Sequence, residues 1–272
     1  MIRILSGWTG VGGSCTAFIN LVNKLNEAGH KAVLHGLITY PQGRCAFEPI
    51  TEELQYKRRD KLITHYPPNI ASRVNFIKPD CRVSVFSCHE TTVIDLKNIN
   101  LEVFDWVQFV SPLQQQYHSI NHPNQIVIPN FMTKLLPNFK TCDEPTAGII
   151  GSVDKNKQTH ISIQRALDDG FKKILLFGLP TDKEYWEKVV EPMVDGKKII
   201  MCGVCEDQQK MYDLCTDVYL SSIYECAPFV PAECEMTNTV FHGLEGKQYL
   251  NQRLIFSDEE IMEKWKMVLN LQ

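Results

Sequence analysis

The chain has 272 residues, 44% hydrophobic and 22% charged, enough for one large or two small globular domains and too apolar for a disordered chain. Its ten cysteines are scattered along a chain too large to need disulfide staples, so a reduced, cytoplasmic protein is expected, and no apolar run is long enough to span a membrane. The net charge of −4 is unevenly divided, with 14 basic against 10 acidic residues up to Cys142 and 14 against 22 after it.

The N-terminus, Met1 to Leu5, runs into glycines too soon for a secretory signal. Residues 2–6 read as a short apolar strand, followed by a glycine-rich turn from Gly7 to Ser14. Ala17, Phe18, Leu21, Val22 and Leu25 then recur on one face of a helix, with Ser14 as its expected N-cap and Gly29 as its C′ residue. Ala32-Val33-Leu34 resumes as a strand, which makes a βαβ opening and implies a parallel sheet. The glycines admit close backbone approach by a ligand, and the helix N-terminus favours negative charge there. The spacing of Gly10, Gly12 and Gly13 is not that of a dinucleotide-binding turn, and a glycine turn with no ligand stands beside the functional reading.

From Pro41 to Asn69 the chain reads as polar and irregular. It includes Lys57-Arg58-Arg59-Asp60-Lys61, either a solvated helix face or a surface for an anionic acceptor such as nucleic acid. Arg82 to Ser87 is the next strand, and His89 follows its C-terminal end. There it is either a catalytic group of an α/β site or a histidine satisfied by a backbone carbonyl. Trp106–Val110 and Gln125–Ile128 are apolar strands, each stopped by a proline-containing turn.

Residues 137–146 form the best linker. A second alternation follows: a strand at 147–150, a loop from Gly151 to Lys157, a helix over 159–169, a strand at 173–177, a helix capped by Asp182, a strand at 198–201 and a helix around 208–215. Ser257-Asp258-Glu259-Glu260 is a capping box opening a last helix with Ile261, Trp265 and Val268 on one face. The expected domains are therefore 1–142 and 143–256, with a helix over 257–272 packing back across them. Cys202 and Cys205 have ligand spacing, but no second pair completes four ligands, so they read as core cysteines and not as a zinc site.

The stretch after Val218-Tyr219-Leu220 carries two carboxylates eight positions apart, Glu225 and Glu233. Pro228 and Pro231 forbid one helix through it, so Glu225 is expected on a loop and Glu233 at or near a helix start. Carboxylates beyond a strand's C-terminal edge are well placed to grip sugar hydroxyls.

Taken in order, these segments resemble the GT-B glycosyltransferases, specifically the family 4-like retaining enzymes: the Gly7–Gly13 turn, Val110-Ser111, Val127-Ile128-Pro129-Asn130, Ile150-Gly151-Ser152 through Lys157, and Glu225 and Glu233 as the Glu-x7-Glu pair. The resemblance implies two Rossmann-like α/β domains facing a cleft and transfer of a sugar from a nucleotide sugar to an acceptor hydroxyl, without metal or other cofactor. It implies catalytic roles for His89, near the transferred sugar, and Glu225, near the donor sugar. It also implies that Glu233 accepts from the ribose hydroxyls, that Lys157 faces the diphosphate, and that Gly12 and Gly13 close the opposite side.

Two departures stand out. Ser152 occupies the family's arginine position, so either Lys155 or Arg165 supplies that charge, or leaving-group stabilisation is weaker. Cys226-Ala227-Pro228 replaces the usual Gly-Phe-Gly after the first glutamate, which bears on donor-sugar identity. Compact size and a basic first domain resemble phage enzymes that glycosylate hydroxymethylated pyrimidines in DNA, which would place the protein in a host cytoplasm and make Lys57, Arg58, Arg59 and Lys61 acceptor-binding. A catalytically silent nucleotide-sugar-binding protein and a nucleotide-sugar epimerase of the same fold are the competing readings.

Overall fold

The structure, a computed structural model, describes residues 1–7, 10, 12–50, 58–65, 81–89, 96, 99–138, 144–245 and 256–272. The chain divides into two compact units, Met1–Met132 with Gln252–Gln272, and Thr133–Asn251.

The first unit holds β1 (Ile2–Ser6), α1 (Gly13–Glu27), β2 (Ala32–Gly36), β3 (Phe47–Pro49), β4 (Asp60–His65), β5 (Cys81–Cys88), β6 (Trp106–Phe109), α2 (Pro112–His118) and β7 (Gln125–Val127). Its strands form one seven-stranded sheet in the order β3-β2-β1-β4-β5-β6-β7, every pair parallel. Side chains alternate across it. Ile2, Ile4, Ile63, Val83 and Val85 pack under Phe18, Val22 and Leu25 of α1. On the same side lie Ile261, Trp265, Val268 and Leu269 of the C-terminal helix, residues 258–269. Leu5, Leu62, Phe86 and Cys88 point the other way, against Leu96, Ile99 and Phe104.

The capping box of the last helix is present, with Ser257 Oγ accepting from Glu260 N and Glu260 accepting from Ser257 N. Gly29 follows the end of α1 with φ +83°, the left-handed C′ position expected of it. The start of α1 differs from expectation. Gly12, not Ser14, is its N-cap, and no side chain caps it.

The larger correction is β4, a strand inside the stretch read as irregular. It is hydrogen-bonded between β1 and β5, with Ile4 opposite Ile63 and Ile63 opposite Val85. Lys61 is therefore not on a helix face. It lies in a central strand, just after Asp60 begins it, and its ammonium donates to Asn270 O at 2.9 Å.

The second unit holds β8 (Thr146–Ile150), α3 (Thr159–Asp168), β9 (Lys173–Phe177), α4 (Lys183–Tyr185) continuing as a wider turn over Trp186–Val190, β10 (Ile199–Gly203), α5 (Gln208–Asp213), β11 (Asp217–Tyr219), α6 (Val230–Thr237) and β12 (Val240–His242). The strands run parallel in the order β10-β9-β8-β11-β12. Ile163, Ala166, Tyr185 and Val190 cover one face. Met211, Tyr212 and Cys234 cover the other, joined by Leu135. Leu135 explains why the units part before the expected boundary at 142/143. With Leu136 N bonded to Gln209 and Asn138 N to Thr237 O, residues 133–138 are built into the second unit. The last helix, read as crossing both domains, belongs to the first unit.

Charge is buried in the first sheet. Arg3 donates to Asp60 at 2.7 Å and to His35 Nε2 at 3.2 Å, and Glu48 lies 3.6 Å from His35 Nδ1. Burial first, and the Arg3 guanidinium second, hold the His35 pKa down to about 4. A histidine depressed in the folded state contributes stability that is fully present above its unfolded pKa of about 6.5 and is lost as pH falls towards 4. Stability should fall by about 1.4 kcal/mol per pH unit across that window from this group alone. Urea titrations at stepped pH should show that slope reduced in His35→Gln; an unaltered slope would remove His35 as its source.

Candidate donor site at the second sheet

Strand order in the second sheet reverses around β8, whose neighbours β9 and β11 are reached by connections leading away on opposite sides. Ligands of open α/β sheets bind beyond the carboxyl ends of the strands at such a point. The segments there are the 151–158 loop after β8 and the 220–229 loop after β11.

Gly151 and Gly178, at φ +137° and +151°, let the turns after β8 and β9 cross in contact. A Cβ on Gly178 would stand 1.8 Å from Gly151 O, so no other residue fits. Asp154 then shapes the first loop, accepting from Ser152 Oγ at 2.6 Å, Lys157 N at 2.8 Å and Thr181 Oγ1 at 3.3 Å. Asn156 ties that loop to the second. Its backbone oxygen accepts from Ile223 N at 2.8 Å, Oδ1 accepts from Tyr224 N at 3.1 Å, and Nδ2 donates to Tyr224 O at 3.2 Å.

That clamp sets Lys157 against Glu225, and the two form a partly buried ion pair. Sixty-eight positions apart in sequence, they share one site because two loops are pinned by the residue before the lysine. Beside them is a cavity of about 10 Å³, lined in part by Gly151, Ser152, Lys157, Thr159 and Ser162. It is large enough for about one water.

Glu233 lies where the prolines implied, in the first turn of α6, with Glu225 on the loop before it. It is 3% exposed, and its carboxylate accepts from Tyr212 Oη at 2.5 Å and Gln208 Nε2 at 3.3 Å. Burial and the facing carboxylate push the Tyr212 phenol well above its ordinary pKa, so it stays a donor. Gln208 and Tyr212 did not figure in the sequence reading. Their signal was available, since an i, i+4 pair on a helix presents both side chains on one face.

The two cations considered as replacements for the family's arginine are committed elsewhere. Lys155 pairs with Asp182 at 3.2 Å and with Glu184 at 3.9 Å. Arg165 donates to Gly243 O at 2.8 Å and Ser221 Oγ at 3.2 Å, and lies over the Tyr219 ring. Lys157 is the basic side chain at the cavity.

In the first unit the strand order reverses around β1. Gly12 and Gly13 are exposed at the start of α1, and His89 follows β5. The His89 ring packs 4.7 Å from Phe18 and edge-on to His65 at 5.3 Å, and His65 Nδ1 is 3.1 Å from Ser6 Oγ. Burial, and then His65, hold the His89 pKa well below its ordinary value, so it is neutral near pH 7. Arg58 and Arg59 are exposed before β4, Lys61 is part-buried, and Lys57 lies outside the described residues.

No protein-family model matches the chain, and no curated protein does. Solved structures do. HepE from Anabaena, in complex with UDP and glucose, is 13% identical, covers 90% of this chain and 80% of its own, and superposes with a TM-score of 0.69. TarM of S. aureus is 10% identical over 99% of this chain and 91% of its own, with a TM-score of 0.72. WaaG, a glycosyltransferase involved in lipopolysaccharide biosynthesis, is 9% identical over 99% and 90%, with a TM-score of 0.65. The chain has the fold of these GT-B glycosyltransferases, built from two Rossmann-like units.

The clamp is open to a direct check. Asn156→Ala removes two side-chain hydrogen bonds and should cost about 1–3 kcal/mol in urea unfolding. Hydrogen exchange should speed up at Tyr224 N before it does in the sheet. Protection unchanged at that amide would mean the loop is held by other contacts.

Proposed function

We propose that the protein transfers a sugar from a nucleotide-sugar donor to an acceptor hydroxyl, with the donor held at the carboxyl edge of the second sheet. The observation that carries this reading is the Lys157–Glu225 pair at the switch point of that sheet, within a GT-B fold. Cleavage of a nucleotide sugar builds negative charge on the departing diphosphate and positive charge at the anomeric carbon. A lysine beside the α3 N-terminus suits the first, and a carboxylate beside it suits the second or a sugar hydroxyl. Lys157 is accordingly the diphosphate ligand, Glu225 the residue at the donor sugar and Glu233 the acceptor of ribose hydroxyl bonds, pre-oriented by Tyr212 and Gln208. His89, Gly12 and Gly13 keep the roles that the family resemblance implies, as does transfer with retention and without metal. HepE was solved with UDP and glucose, which makes UDP-glucose the first donor to try.

Ligand-induced stabilisation tests the donor site, because a ligand bound only by the folded state raises apparent stability. UDP-glucose or another nucleotide sugar should raise the melting temperature, and both Glu233→Ala and Lys157→Met should abolish the shift. Turnover by Glu233→Ala at the wild-type rate would overturn the assignment of that residue. Nucleotide release on incubation with the donor separates a transferase from a silent binder, and mass analysis of the product separates it from an epimerase.

For the acceptor, the finer reading is a hydroxymethylated pyrimidine in DNA. Arg58 and Arg59 support it, being exposed and adjacent, whereas the Lys61 ammonium is spent on Asn270. Replacing both arginines with Gln should weaken DNA binding at low salt and reduce the slope of log affinity against log salt by about 2. An unchanged slope would remove this surface.

A further inference from the structure

Behind His89 lies a chain of hydrogen bonds that ends in the sheet. Gln108, on β6, is 1% exposed, and its Nε2 donates to Phe109 O at 2.9 Å and to Ile128 O at 2.7 Å. Those carbonyls can only accept, which settles the orientation of the amide, so the atom facing Ser87 is Oε1. Oε1 can only accept as well. The Ser87 hydroxyl, 2.5 Å away and fully buried, must spend its one proton there. What Ser87 Oγ offers on its other side is a lone pair, and His89 Nε2 lies 3.1 Å from it. Two lone pairs would repel at that distance, so Nε2 carries the ring hydrogen.

We propose that Gln108 and Ser87 are positioning residues that fix His89 as its Nε2–H tautomer, which makes Nδ1 the acceptor nitrogen of the ring in the part that His89 takes in transfer. The part of His89 in transfer rests on the sugar-transfer reading; the tautomer does not. Which imidazole nitrogen is protonated is set by the bond the other one makes, and here that bond runs through two side chains to the backbone of β6 and the residue after β7. A neutral ring has one hydrogen to place, and the burial that keeps His89 neutral makes its placement matter. Phe18 and His65, themselves in contact, pack against the ring at 4.7 and 5.3 Å between centroids. The device therefore fixes both orientation and polarity.

The full chain, labelled with 15N in its histidine rings, answers the question without a substrate. The His89 signals are expected to show the hydrogen on Nε2 in the wild type, a mixture of tautomers in Ser87→Ala, and Nε2–H again in Ser87→Thr, which keeps the hydroxyl. A wild-type ring protonated on Nδ1, or a Ser87→Ala ring with the wild-type tautomer, overturns the relay. In transfer assays Ser87→Ala should lower kcat by about tenfold, the worth of one hydrogen bond, and leave the donor KM in place. Ser87→Thr should recover the rate, and an undiminished kcat in Ser87→Ala overturns the acceptor role of Nδ1. Should the wild type turn over no nucleotide sugar, the transfer reading fails while the ring spectra still decide the relay.

Discussion

Each sheet is parallel throughout and reverses its strand order once, around β1 in the first unit and around β8 in the second. A parallel pair needs a crossover, and crossovers leaving a strand for opposite sides diverge over its carboxyl end. The backbone there is short of neighbours and the side chains just beyond it face open space. Both candidate regions lie where that constraint puts them. Gly12 and Gly13 follow β1, His65 ends β4 and His89 follows the next strand, while Lys157 and Glu225 follow β8 and β11.

The second region is then refined by hydrogen bonds whose partners are far apart in sequence. Two glycines let neighbouring turns cross, Asp154 folds the loop, and Asn156 draws the 223–224 backbone onto it. The result is an acid and a base held together near a small cavity, with one more carboxylate buried under a phenol and an amide. A buried, paired charge is costly to leave half-satisfied, so such an arrangement either moves as a set or stays as one. The first region uses the same economy with neutral groups, where a carbonyl, an amide, a hydroxyl and an imidazole each take the one role left to them.

Elements with strong local signals were readable beforehand. The α1 stripe, the Gly29 terminus, the Ser257–Glu260 box and the 159–168 helix all announce themselves within a few residues. The proline argument was local too, and it put Glu225 on a loop and Glu233 in a first helical turn. What failed was β4. Its apolar centre, Leu62 and Ile63, is two residues long and follows a run of charge, so periodicity has nothing to count. It is a strand because β1 and β5 bond it on both sides. The first charged residues it carries are absorbed by ends of the unit that the sequence sets far away: Asp60 by Arg3 and the N-terminal amine, Lys61 by Asn270. The boundary between the units, expected at 142/143, falls at 132/133 for a related reason. Residues 133–138 run up to and into the linker read at 137–146 and carry no strand or helix signal, yet Leu135 and two backbone amides seat them in the second unit.

The sequence by itself determined the class of fold, since alternating short apolar strands and amphipathic helices can bury their faces only as layered α/β units, and it singled out the two glutamates and the histidine by their place after strands. The tertiary structure alone decided their company. It paired Glu225 with Lys157, gave Glu233 to Tyr212 and Gln208, sent Lys155 and Arg165 to other partners, and stood Ser87 and Gln108 behind His89. Strand and helix periodicity are properties of neighbouring residues and can be read along the chain. Hydrogen-bond partners are chosen across loops and sheets by distance, and that distance does not exist until the chain has folded.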